Sequence, residues 1–221
     1  PDAKVFICGC ASQKDAKQFL DKDATLVIGT AGKIKIAEYI DQIASKDKTM
    51  KEKIEKVTLL PKEYEDDLFA KPTRTRTYIK IQDGCDNFCS YCIIPYLRGR
   101  SRSRSIISIL NEAMALGDDV KEIVITGINV TDYKVDGKSG LLKLLTELNA
   151  LGKRIRLSSM EEGLIEEDFV KGLSKLDNFC PHFHLSLQSG SSTVLKRMNR
   201  HYKAEDFAKS VKLIRKYFPK G

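Results

Sequence analysis

The chain has 221 residues, 42% of them hydrophobic and 31% charged, with a formal net charge of +8. This is the make-up of an ordinary soluble protein with one core of moderate size plus a smaller unit. No apolar run approaches the length of a membrane span and no basic-then-apolar leader precedes a cleavage site, so a cytoplasmic protein with no membrane partner is expected.

Residues 3–9, AKVFICG, predict a buried strand ending at a glycine, and residues 12–20 a polar helix. Thr25–Ile28 is a second strand, and Ile34–Ala44 a helix with Ile36, Ile40 and Ile43 as its apolar residues. Alternation of strand and helix implies a parallel sheet, but two strands do not make a stable sheet alone. The chain is therefore expected to begin inside a domain, bounded here at residues 1–46. Cys8 lies two residues before Cys10 and should share its face; Cys8 reads as core, and on the residues alone Cys10 reads as structural. From Asp47 to Arg76 the periodicity thins, charges dominate, and Pro61 and Pro72 punctuate the run. Residues 47–76 thus read as a linker, with one short helix or strand near Lys56–Leu60.

Residues 77–221 predict four strand-helix units, with strands at Tyr78–Gln82, Glu122–Thr126, Arg154–Ser159 and His182–Gln188 and helices at Ser105–Ala115, Gly140–Ala150, Glu166–Leu176 and Ala204–Tyr217. Such alternation means parallel strands with right-handed crossovers, open or partly closed into a barrel. Parallel strands covered on both faces are almost continuously apolar, and three of these are not. Tyr78, Lys80 and Gln82 alternate with Ile79 and Ile81; Arg154, Arg156 and Ser158 with Ile155 and Leu157; His182, His184, Ser186 and Gln188 with Phe183, Leu185 and Leu187. One face packs under helices, and the polar face suits a barrel interior that holds a polar ligand at the carboxyl ends of the strands.

Directly after the first of these strands comes GCDNFCSYC, Gly84–Cys92, which places Cys85, Cys89 and Cys92 at the spacing C-x3-C-x2-C. A [4Fe–4S] cube takes four ligands, so three thiolates in one loop leave one iron for a non-protein ligand. Zinc is the rival, but structural zinc sites usually pair two C-x2-C units or add histidines at set distances, and no second pair exists here. Inert buried cysteines are the other reading, and three in eight residues amid Gly, Asp, Asn and Ser do not look like core. Six cysteines, this triad plus Cys8, Cys10 and Cys180, suit a reducing compartment better than a disulfide framework.

Charge gathers at the same place. From Arg74 to Arg104 seven basic residues stand against two acidic ones, a concentration that suggests a polyanion such as RNA; a solubilising patch is the plainer reading. Within it RGRSRSR puts Arg98, Arg100, Arg102 and Arg104 two apart before a helix, and guanidinium suits phosphate because it donates paired hydrogen bonds and keeps its charge. For some of these arginines the alternative reading is that they brace the domain interface or the cysteine loop. At the other strand ends, Gly127 would let backbone approach a ligand and Asn129 offers donor and acceptor groups. Ser158, Ser159 and Glu161, then Gln188, Ser189 and Gly190, could meet ribose hydroxyls and an ammonium. His182 and His184 read as barrel-lining histidines satisfied by hydrogen bonds rather than a metal pair, and Cys180 as structural.

The stretch KIQDGCDNFCSYCIIPYLRGRSRSR, Lys80–Arg104, resembles the signature of the radical S-adenosylmethionine (radical SAM) methylthiotransferases. TGINVTDY, Thr126–Tyr133, is similar to the segment of that family that meets the SAM amino group, in a form close to the members that modify tRNA. ICGCASQ resembles part of the family's amino-terminal domain, and HLSLQSG a later segment in which Pro often stands where Ser186 does; that departure bears on subfamily, not superfamily. The resemblance implies a partial (β/α)6 radical SAM barrel at 77–221, incomplete at its carboxyl end, preceded by part of a flavodoxin-like α/β domain, and a chain that is a fragment of the family's architecture.

It further implies two [4Fe–4S] clusters. Cys85, Cys89 and Cys92 would hold the one that chelates SAM, and Cys10 would be one of three ligands to an auxiliary cluster, its two partners lying upstream. Tyr91 would lie near the SAM adenine, with Gly127, Asn129, Ser159, Glu161 and Gln188 as further cofactor contacts and Arg98, Arg100, Arg102 and Arg104 on the RNA. The activity implied is methylthio transfer to C2 of N6-threonylcarbamoyladenosine beside a tRNA anticodon, by a monomer taking its electron from a flavodoxin or ferredoxin. Transfer to isopentenyladenosine in tRNA or to an aspartate of a ribosomal protein are the sister reactions. The non-enzyme alternative is a metal-bearing RNA-binding module.

Overall fold

A computed structural model describes residues 3–45, 53–66, 72 and 74–221. The chain divides into two compact units, Pro1–Leu68 with Tyr96–Gly99, and Phe69–Pro95 with Arg100–Gly221.

In the first unit the chain runs through β1 (Phe6–Cys8), α1 (Cys10–Lys14), α2 (Lys17–Leu20), β2 (Leu26–Ile28), α3 (Ile36–Ser45) and β3 (Ile54–Lys56). The expected single helix over 12–20 is two, because at Asp15 the backbone is extended and its Oδ1 accepts from Gln18 N at 3.2 Å, a local bond that caps rather than continues a helix. The strands lie in the order β1-β2-β3 and pair in parallel, Phe6 beside Leu26 and Leu26 beside Ile54. The central strand β2 is buried throughout. Thus part of 47–76 is not linker: its one short strand joins the sheet of the first unit and supplies the third partner that two strands lacked. Residues 47–52, 67–71 and 73 of that segment lie outside the described residues. Cys8 is also corrected. It is exposed, because the strand ends there and β1 has a partner on one side alone among the described residues, and Cys10 already belongs to the helix.

The second unit contains β4 (Arg76–Asp83), α4 (Ile94–Arg98, shared in part with the first unit), β5 (Arg102–Ser103), α5 (Ile106–Met114), β6 (Glu122–Gly127), the hairpin of β7 (Lys134–Val135) and β8 (Lys138–Ser139), α6 (Leu141–Asn149), β9 (Arg154–Leu157), β10 (Ser159–Met160), α7 (Glu167–Leu173), β11 (His184–Leu185), α8 (Ser192–Arg197) and α9 (Ala204–Tyr217). β4, β6 and β9 are parallel neighbours, β10 and β11 pair in parallel beyond them, and β5 adds antiparallel to the end of β4. The result is a curled, mostly parallel half-barrel.

Its core is the apolar half of the alternation read from the sequence. Ile79, Ile81, Ile123, Ile125, Ile155 and Leu157 are each at most 1% exposed and pack with the leucines of α6 at 141, 144, 145 and 148, one helical stripe. The expected strand over 154–159 breaks at Ser158, and that over 182–188 shrinks to two residues. Pro181 offers no N–H to a ladder, and Leu187 and Ser189 donate to carbonyls two residues back, which turns the chain away from extension.

At the amino ends of these strands Glu122 is held by three arginines. Arg76 Nε lies 2.6 Å and Arg156 Nε 3.1 Å from its Oε1, and Arg154 Nε 3.0 Å from its Oε2. Burial raises the carboxyl, but the hydrogen bond from Arg156 and the charges of Arg156, Arg76 and Arg154 outweigh it, and the net shift is downward from 4.5. A carboxyl with a lowered folded pKa stabilises the fold above its unfolded value and loses that contribution as pH falls through the folded one. Glu122→Gln should therefore lower unfolding free energy by about 1–3 kcal/mol at neutral pH, and urea melts of variant and parent should converge at pH well below 4.5. A constant gap across that range would contradict the ion-pair origin.

Candidate active site

β4 delivers the cysteine loop to the carboxyl end of the half-barrel. Gly84 leaves the strand at φ 74° and Phe88 sits at φ 47°, so the loop reverses tightly between its first two cysteines. Cys92 N donates to Cys89 O at 2.9 Å, closing the turn that carries the second and third. The loop is fastened from the far end of the chain: Ser90 N donates to Met198 O at 3.1 Å, and Asn199 Nδ2 to the carbonyls of Asn87 and Phe88 at 3.1 Å each. Asn87 Nδ2 donates to Glu161 Oε2 at 2.6 Å, Arg200 Nη2 stands 2.9 Å from Glu161 Oε1, and Arg200 Nη1 donates to Cys89 Sγ at 3.2 Å. Arg200 also lies over the Tyr202 ring, 5.1 Å from its centroid, and a cavity of about 170 Å³ opens among Asn87, Cys89, Glu161, Arg200 and Tyr202.

A second fastening is Gln82, the last polar-face residue of β4 and 0% exposed. Its Nε2 donates to Gly84 O at 2.8 Å, Asp83 O at 3.1 Å and Ser101 Oγ at 2.9 Å, while its Oε1 accepts from Asn129 N at 2.8 Å. One amide thus joins the cysteine loop, the arginine run and the loop after β6. Gly127 is needed for this: a Cβ there would lie 3.0 Å from both Gln82 O and Gln82 Oε1. The close approach expected at Gly127 is made by a neighbouring strand. Gly127→Ala should lower stability by about 1–3 kcal/mol through overpacking, read as a fall in thermal midpoint; an unchanged midpoint would mean the strands part freely.

Two polar atoms at these strand ends are buried without a partner, Asn129 Oδ1 and Ser158 Oγ. Such groups are costly unless something completes them, so they suit a bound polar ligand. Ser159 Oγ is instead within 2.7 Å of His184 Nδ1, which gives His184 its expected hydrogen bond, while His182 and His184 are both exposed. Glu161 spends both oxygens on Asn87 and Arg200. Gln188 turns at φ 61°. Tyr91 is exposed beside the triad, its phenol raised by burial and then by Cys89. Cys180 is buried, 3.0 Å from Arg154 Nη2. Cys10 is half-buried at the start of α1.

The arginine run divides. Arg100 is exposed, 4.5 Å over Phe88 and 3.4 Å from Asp86, and Arg98 is half-buried. Arg102 and Arg104 are corrected as RNA-facing residues: they are 8% and 3% exposed. Arg102 Nη1 donates to Arg100 O at 2.8 Å and Arg104 pairs with Glu112 while its Nε donates to Ser108 Oγ at 3.0 Å. The antiparallel strand β5 turns them inward, where they brace the loop ends.

The Cys85 thiol senses its surroundings. Partial burial raises Cys85, a backbone hydrogen bond at Asn87 lowers it, and the charges of Glu161, Cys89 and Cys92 raise it again. Among the described residues no three His, Cys, Asp or Glu side chains converge on a single-ion site. A cubic cluster asks for something else, one thiolate on each of several irons. Three soft donors in one fastened loop, with unpartnered polar atoms at the adjacent strand ends, fit that requirement in kind and place.

Residues 79–221 match the Radical SAM superfamily. The chain belongs to that superfamily. Membership in the radical SAM superfamily implies a [4Fe–4S] cluster and SAM. Along the whole chain it is 40% identical to a threonylcarbamoyladenosine tRNA methylthiotransferase MtaB of Chlamydia pneumoniae, covering 49% of that protein. It is 38% identical over 99% of its length to the MtaB of Bacillus subtilis and 32% to a tRNA-2-methylthio-N(6)-dimethylallyladenosine synthase of Clostridium tetani, covering 50% of each. The chain spans about half the length of the curated relatives it matches. Sequence reasoning missed Gln82 as a site residue, and also Asn87, Asn199 and Arg200. Asn87 lies inside the motif and Gln82 in the alternating strand, so both carried a signal; NRHY at 199–202 carried none.

Proposed function

We propose that this chain is part of a radical SAM enzyme that adds a methylthio group to C2 of N6-threonylcarbamoyladenosine next to the anticodon of a tRNA. The carrying observation is the cysteine loop at the carboxyl end of β4, joined through Gln82 to the loop of Asn129. In this reading Cys85, Cys89 and Cys92 hold a [4Fe–4S] cluster, which with SAM supplies one-electron cleavage of a sulfonium carbon–sulfur bond to a 5′-deoxyadenosyl radical. Asn129 Oδ1 and Ser158 Oγ orient the polar groups of SAM, with Tyr91, Gly127, Ser159 and Gln188 around it, and Glu161 contributes by holding the loop. Cys10 gives one thiolate to a second cluster. Arg98 and Arg100 meet tRNA phosphates, and a loop base suits the site because it leaves its stack at small cost. The protein works as a monomer with a flavodoxin or ferredoxin as electron donor.

The names of the relatives at 40% and 38% identity favour threonylcarbamoyladenosine, and that of the 32% relative favours dimethylallyladenosine as second reading. Mass analysis of tRNA nucleosides from a strain lacking the gene decides between them. The methylthio form of threonylcarbamoyladenosine should vanish and its unmodified parent accumulate. Loss of the dimethylallyl form instead selects the second reading, and unchanged tRNA contradicts both.

A further inference from the structure

Arg200 is the feature of the site that no part of the cysteine motif explains. Its side chain is 4% exposed. It reaches from the segment between α8 and α9 to donate to Cys89 Sγ at 3.2 Å, 111 residues away. Among the described residues its one carboxylate partner is Glu161, at 2.9 Å, and Glu161 in turn is shared with Asn87. Arg200 Nε and Nη2 are both buried with no hydrogen-bond partner, Nη2 meeting Glu161 by charge alone, so the guanidinium is only partly satisfied by what surrounds it. A cation donating to a ligand sulfur favours added negative charge on whatever that sulfur binds, and hydrogen bonds to sulfur together with local charge are main levers on iron–sulfur potentials. An arginine suits the place because its fork serves sulfur and carboxylate at once and cannot be deprotonated.

We infer that Arg200 is a positioning residue that raises the reduction potential of the cluster on Cys85, Cys89 and Cys92, with Glu161 as the opposing charge that sets how far. This rests on the cluster assignment proposed above. Arg200 touches no substrate; it acts through Cys89. Because Arg200 and Glu161 form one ion pair, a purely structural role and an electrostatic role differ in sign. Neutralising either partner breaks the same bridge, so loosening of the loop would move the potential in one direction for both. Removal of a cation makes reduction harder, whereas removal of an anion makes it easier.

The test is an anaerobic potentiometric titration of the iron- and sulfide-reconstituted whole protein, followed by electron paramagnetic resonance without substrate. Arg200→Gln should shift the midpoint to more negative potential, Glu161→Gln to more positive potential, and Arg200→Lys should fall between Arg200→Gln and the parent. Should Arg200→Gln fail to assemble a cluster, the Arg200→Lys and Glu161→Gln pair still gives opposite signs or does not. Shifts of the same sign, or no shift in an assembled cluster, overturn the role of Arg200 while leaving the cluster assignment standing. Failure of the parent itself to bind a cluster would overturn both.

Discussion

Cys89→Ala is expected to abolish both the visible absorbance of the reconstituted protein and its cleavage of SAM. Two remaining thiolates do not hold a cube that needs three protein ligands and offers its fourth iron to SAM. The loss is sharper at Cys89 than at an exposed ligand, because Cys89 is 8% exposed and its sulfur is the acceptor for Arg200. Truncation therefore removes a cluster ligand and leaves a buried guanidinium without that acceptor. Cys89→Ser keeps volume and an acceptor, so it should fold like the parent while still losing the absorbance. Persistence of absorbance or of SAM cleavage in either variant would mean that the ligands are other residues.

Gln82→Leu should be the most destabilising single change outside the cysteines. Leucine has similar bulk but leaves Asn129 N, Gly84 O, Asp83 O and Ser101 Oγ without their present partner. A buried backbone group left unmade costs about 1–3 kcal/mol, so a loss of at least about 3–5 kcal/mol is expected from three such groups and the hydroxyl. Cluster yield on reconstitution should fall with it, since the anchored Gly84 starts the cysteine loop. Gln82→Glu should be at least as damaging, because a carboxylate would face the carbonyls of Asp83 and Gly84 that the amide now satisfies. A denaturant midpoint within error of the parent for both variants would show that the amide is replaceable by water.

The half-barrel was legible because its signals are local. Ile79 and Ile81 set against Lys80 and Gln82 give period two, and Leu141, Leu144, Leu145 and Leu148 give a helical stripe; both survive folding unchanged. The triad was legible for the same reason, three ligands within one loop. What escaped is held by contacts between distant segments. Arg200 meets Cys89 because the turn after α8 packs on the cysteine loop, and nothing in NRHY announces that. The arginine run misled in part because four guanidiniums before a helix suit phosphate, whereas β5 pairs with the end of β4 and draws Arg102 and Arg104 inside. In the first unit Asp15 could have been read as a helix break, and the short element expected near Lys56–Leu60 is the strand β3 slightly earlier, at Ile54–Lys56, in a charged stretch with only Ile54 to mark it.

The most direct measurement is made on protein reconstituted without oxygen with iron and sulfide, then given SAM and dithionite. Formation of 5′-deoxyadenosine and methionine, with iron present and dependent on Cys85, Cys89 and Cys92, is the predicted result. Native protein that carries zinc on these cysteines and leaves SAM intact would contradict it.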